Sequence, residues 1–92
     1  MALAKIEREM AASGKGCLGK ASDDEPVFIL RAQDKLAPAI VEAWAMAAAA
    51  ERSRNIRSVQ EDMGLDSKIK EARALAHTMR AWQEINYSKL PD

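Results

Sequence analysis

Gly14, Gly16 and Gly19 alternate with Lys15 and Lys20 around Cys17 and Leu18, and a run of that kind can cradle an anion. Successive backbone N–H groups around glycines form a concavity, and a lysine neutralises the charge placed in it. The spacing Gly14-(four residues)-Gly19-Lys20 reproduces most of a phosphate-binding P-loop. Three departures argue against a nucleotide hydrolase. Ala21 stands where a hydroxyl would hold magnesium, the residues before Gly14 carry a helical pattern, and 92 residues leave no room for a parallel sheet. The expectation is a looser phosphate nest built from Lys15, Gly16, Cys17, Gly19 and Lys20, against a loop that is only structural.

A second candidate lies near the other end of the chain. Lys70, Arg73, His77 and Arg80 step by three, four and three, so on a helix they share a face about 80° wide. That face could grip phosphate or carboxylate groups, or be ordinary solvated surface. Arg31 could add a further donor, while Asp24 or Asp34 could hydrogen-bond a base or ribose. Asp23, Asp24 and Glu25 offer oxygen ligands, but successive side chains point apart, so they read as a solvated turn. Cys17 and His77 are the only soft ligands and the only nucleophile–base pair. A metal site would lack two ligands, so neither a metal nor catalysis is expected.

These residues need elements to position them. Leu3, Ile6 and Met10 recur at helical spacing, so residues 1–13 read as a short helix stopped by Ser13 and Gly14. Residues 14–33 read as the Gly/Lys loop followed by an extended segment. Val27 to Leu30 follows a Ser-Asp-Asp-Glu-Pro turn signal, and Cys17 to Ala21 could pair back with it as a hairpin. The rival reading starts a helix at Glu25 or Pro26, capped by Asp24.

Asp34 reads as the N-cap of a main helix over 34–53, with Pro38 in its first turn. Leu36, Ile40, Val41, Trp44, Ala47 and Ala48 fall in one sector of about 140°, which predicts the buried stripe. That stripe fails beyond Glu51, which predicts a break and a connecting helix over 54–64, ended by Gly64. Asp66 would cap the last helix, over 66–86, with Ile69, Ala72, Leu75, Ala76, Met79 and Trp82 as its apolar stripe. Trp44 and Trp82 sit in these stripes, as core anchors or a self-association surface rather than base-stacking platforms. The fold class is mainly α: two principal antiparallel helices plus a short extended or hairpin segment.

Composition sets the remaining bounds. Eighteen alanines inflate the apolar fraction, while Leu, Ile, Val and Phe together number seventeen. A core this thin is marginal at such a length, so a homo-oligomer is expected. Fourteen basic and fourteen acidic residues cancel, which argues against nucleic acid or an anionic membrane as partner. The longest apolar run, Ala43 to Ala50, is bounded by Glu42 and Glu51 and falls far short of the roughly 20 residues that span a bilayer. A single cysteine suits a reducing, intracellular location.

The run from Gly14 to Ala45 resembles a group of short phage and prophage proteins. The shared pattern is Cys-Leu-Gly-Lys-Ala at Cys17 to Ala21, Asp-Glu-Pro-x-Phe-x-Leu-Arg-Ala-x-Asp at Asp24 to Asp34, then Ala37-Pro38 and a helix bearing Trp44. Glu71 to Ala76, Met79 to Trp82 and the terminal Leu-Pro-Asp are also similar. The resemblance implies a phage accessory protein acting in the host bacterial cytoplasm. Such proteins block host defences by gripping a defence protein or by sequestering a nucleotide signal. The expected function is therefore non-enzymatic binding of a small phosphorylated ligand, without a cofactor. The alternative is a protein–protein inhibitor of a host defence complex, or an assembly factor.

Overall fold

The computed structural model describes residues 2–90. It is mainly helical, with α1 (Ala4–Ala12), α2 (Gly16–Lys20), α3 (Ala37–Arg54) and α4 (Val59–Ile85). The two long helices pack on each other, and α1 packs on α2. Ion pairs set the direction of the long pair. Arg52 meets Asp66 near the turn, and Glu42 meets Arg80 far from it, so the helices run antiparallel.

Local sequence explains the ends of these helices. In α3, Pro38 sits in the first turn, where its missing N–H breaks no helical bond. At the other end Arg57 Nη1 donates to the Glu51 carbonyl at 3.2 Å and its Nη2 pairs with the Glu51 carboxylate at 2.8 Å. The Glu51 carbonyl also accepts from the Asn55 N–H at 3.2 Å, so the guanidinium adds a second bond to it and complements the helix dipole. At the start of α4 the Ser58 hydroxyl accepts from the Glu61 N–H at 3.1 Å and donates to the Glu61 carboxylate at 3.1 Å. Ser58 thus caps the helix on the pattern Ser-x-x-Glu, with the Glu61 carboxylate holding its hydroxyl in place.

That cap corrects the expected break. There is no separate connecting helix over 54–64 and no helix start at Asp66; α4 runs from Val59 through Gly64 to Ile85. Gly64 is helical rather than left-handed, as only Gly14 and Gly16 have positive φ among the described residues. Asp66 pairs with Arg52 instead, at 3.0 Å, and Asp62 joins them at 3.6 Å. The hydrogen bond to Asp66, then the charges of Asp62 and Asp66, raise the Arg52 pKa above its ordinary value.

The core is thin and alanine-lined. Ala37, Val41 and Ala45 of α3 meet Ile69, Ala72, Ala76 and Met79 of α4, with Leu30, Ala32, Leu65 and Leu75 packed beside them. The α4 stripe is close to the one expected. The α3 stripe is rotated from it by about a quarter turn. Leu36, Ile40 and Trp44 are about half exposed, and Ala37, Val41 and Ala45 face α4 in their place. Small side chains let the helix axes approach closely, so alanine takes the seam and the larger residues move to its flank.

Asp34 does not cap the main helix directly. Its carboxylate accepts from the Leu36 N–H at 2.8 Å, forming a turn over residues 34–36 that leads directly into α3. The expected hairpin between Cys17–Ala21 and Val27–Leu30 is absent among the described residues. Cys17 to Lys20 lie in α2, and residues 27–30 belong to no helix or strand. The one backbone pairing of strand type there is a parallel bridge of Asp34 with Lys89. Lys35 donates to the Lys89 carbonyl and Lys89 to the Gln33 carbonyl, both at 2.9 Å. Gln83 completes this clasp: its Nε2 donates to the Ala32 and Asp34 carbonyls at 2.8 and 2.9 Å.

Candidate functional site

The glycine-rich run forms a helical hairpin rather than an open anion nest. Gly14 N–H donates to the Ala11 carbonyl at 3.0 Å, and Lys15 N–H to the Met10 carbonyl at 2.7 Å. These are the two bonds of a Schellman termination, which needs a left-handed residue at Gly14, where φ is +72°. Gly19 meets a different demand. A Cβ there would lie 2.8 Å from the Gly14 carbonyl carbon and 3.2 Å from the Ala11 Cα, so its missing side chain lets α2 sit on α1. Two of the three glycines are thereby accounted for by chain reversal and close packing.

The other loop residues scatter. Lys15, Cys17 and Lys20 are exposed, and Gly16 is half-buried with φ of +72°. Asp24 is exposed in a turn held by the Glu25 N–H donating to the Ser22 carbonyl at 3.0 Å. Arg31 is exposed, and Asp34 is half-buried at the clasp. Among the described residues, α1 and α2 touch neither α3 nor α4. The structure therefore does not bring the Lys15–Lys20 run up to the basic face of the last helix.

That basic face does border a concavity. An open cleft of about 260 Å³ runs between α3 and α4, lined by Glu42 and Met46 on one side and Arg73, His77 and Arg80 on the other. The three-four spacing places these basic side chains on one rim because α4 is unbroken across them. Lys70 extends the face along the helix but does not line the cleft. Arg80 is ion-paired with Glu42 across it. Arg73 and His77 make no ion pair or side-chain hydrogen bond among the described residues, which leaves their donors open to a ligand.

Sequence reasoning missed Glu42, Met46 and Gln83. Glu42 and Met46 are one turn apart on α3, on the flank of the alanine seam, so a correct seam would have pointed to them. Nothing local marks Gln83, whose partners lie about 50 residues away. No group of three His, Cys, Asp or Glu side chains among the described residues is placed to hold a metal ion. No helix there is long and apolar enough to cross a membrane. Compared with known proteins, the chain matches no family model, no curated protein and no solved structure.

Proposed function

We propose that this chain is a non-enzymatic binding protein that holds a small phosphorylated ligand in the cleft between α3 and α4. The observation that carries the reading is the common rim of Arg73, His77 and Arg80, two of them without a protein partner. Arg73 and His77 would donate to phosphate oxygens. Arg80 would join them by sharing or exchanging its bond with Glu42. The apolar wall at Met46 suits a base or other flat group beside the phosphate. The likeness to small phage proteins supports a setting in the bacterial host cytoplasm, with a nucleotide immune signal as the ligand to be sequestered. The Lys15 to Lys20 run has no part in this cleft.

Calorimetric titration with a panel of linear and cyclic nucleotides tests the proposal. A charge-assisted contact to phosphate contributes about 1.5–3 kcal/mol, so Arg73→Ala should weaken binding roughly 10- to 100-fold. Glu42→Gln should strengthen it, because a competing negative charge is removed and Arg80 is freed. If the Arg73→Ala, Arg80→Ala double variant binds as the unaltered protein does, the cleft is only solvated surface. A second reading, inhibition of a host defence protein, draws support from Val27, Phe28 and Ile29, which are exposed in the segment between α2 and α3. Loss of a protein partner on Phe28→Ser, with nucleotide binding untouched, would favour it.

A further inference from the structure

The α3–α4 pair has two flanks, and they differ in chemistry. One is the charged cleft. Helical geometry places Leu36, Ile40 and Trp44 of α3 on the other, with Leu75 and Trp82 of α4 beside them. Exposure along this flank is substantial: 51% at Leu36, 47% at Ile40, 45% at Trp44 and 40% at Trp82. Ala43, Ala47 and Thr78 fill the spaces between, so the patch carries no charge until Glu51 and the Lys68–Glu71 pair at one end. Two tryptophans on an uncharged helical flank are a large apolar area for a monomer to leave in water.

The surface of the whole chain says how much must be covered. A compact monomer of 10.1 kDa would expose about 5,300 Å², whereas this chain exposes 7323 Å². Its radius of gyration is 14.7 Å, against about 12 Å for a compact domain of this length. The excess, about 2,000 Å² by that scaling, falls within the roughly 1,000–2,500 Å² that each copy buries in an obligate homodimer. Part of it belongs to the α1–α2 hairpin, which touches neither long helix. The apolar flank supplies the continuous, uncharged portion.

We propose that the flank bearing Leu36, Ile40, Trp44 and Trp82 is the interface of a symmetric homodimer, closed by the same flank of a second copy. Two helical hairpins joined this way make a four-helix bundle, with the tryptophans of each copy in its centre. Zero formal net charge means that no overall repulsion opposes the pairing. The charged clefts then face outward on opposite sides, one per copy, and stay open to ligand.

Sedimentation equilibrium across micromolar concentrations, read beside acrylamide quenching of tryptophan emission, tests the proposal. The unaltered chain should weigh twice 10.1 kDa, and its tryptophans should become more quenchable as dilution splits the dimer. Because a two-fold interface repeats each change, Ile40→Glu should weaken association by about 100-fold or more. Ala81→Glu, exposed on α4 away from this flank, should leave the mass unchanged. Circular dichroism distinguishes a folded Ile40→Glu monomer from an unfolded one. If that variant unfolds, the concentration dependence of quenching in the unaltered chain still decides the matter. A monomer with shielded tryptophans would mean that the N-terminal hairpin covers the flank. A monomer with open tryptophans would assign it to a different protein, and a dimer whose quenching ignores dissociation would place the interface elsewhere. Each of these three results overturns the proposal.

Discussion

Replacing Gly64 with alanine separates two descriptions of the last third of the chain by the sign of its effect. In the structure Gly64 lies inside α4, and a Cβ added there would meet nothing within 4 Å. The new methyl group therefore creates no clash and buries nothing, which leaves backbone entropy and helix propensity as the only terms. Alanine exceeds glycine in a helix interior by about 0.8–1.0 kcal/mol, so Gly64→Ala should stabilise the fold by roughly that amount. In a domain of this size each kcal/mol moves the melting midpoint by about 4–8 °C. If Gly64 instead ended one helix in a left-handed conformation, the same substitution would destabilise by about 1–2 kcal/mol. Urea titration followed by helical circular dichroism measures the difference directly. Amide exchange at residues 62–68 adds a local reading, since protection there should rise in the variant. A midpoint that falls, or stays unchanged with unaltered exchange, refutes an unbroken α4.

Gln83→Met keeps the side-chain length but removes both donors to the Ala32 and Asp34 carbonyls. It should destabilise by about 1–3 kcal/mol and speed amide exchange at Lys35 and Lys89; unchanged exchange would show that the clasp does not depend on Gln83. Gly19→Ala should detach α2 from α1, because the added carbon would lie 2.8 Å from the Gly14 carbonyl carbon and would force that backbone to shift. Nuclear magnetic resonance shifts should then change through residues 4–20 and hardly at all in α3 and α4, and changes across the whole spectrum would refute that separation. Ser58→Ala should cost about 1 kcal/mol through loss of the α4 cap, and a urea midpoint equal to that of the unaltered protein would show the cap to be idle.

The helical class and the long antiparallel pair were legible because they rest on periodicity, and the α4 stripe was clear because Ile69, Leu75 and Met79 mark it. The face of α3 was harder to read for a physical reason. Alanine carries little hydropathic signal, yet the closest helix contacts require it, so Leu36, Ile40 and Trp44 drew the reading toward the flank. The start of α4 was present in Ser58-x-x-Glu61 but was outweighed by Gly64, whose conformational freedom suits a helix end and merely lowers stability in a helix interior. The glycine run shows the same ambiguity. Positive φ and close approach serve an anion and a tight chain reversal equally, and only the carbon atoms around Gly19 decide between them. Arg73, His77 and Arg80 were found because spacing alone puts them on one face. Their opposite wall, Glu42 and Met46, depended on the seam that alanine concealed.

The clasp between Gln33, Lys35 and Lys89 has a consequence for the order in which the molecule assembles. It joins segments more than 50 residues apart in sequence, whereas α3 and α4 meet first through neighbours across the turn at residues 55–58. Contacts of short sequence separation form early, since little loop entropy opposes them. The helical pair should therefore zip from Arg52 and Asp66 outward, and its closing ends would carry Gln83 towards Ala32 and Asp34. Only then are Lys35 and Lys89 held close enough to exchange backbone hydrogen bonds. Substitutions at the clasp should therefore accelerate unfolding while leaving the refolding rate nearly untouched, and substitutions beside the turn should slow refolding.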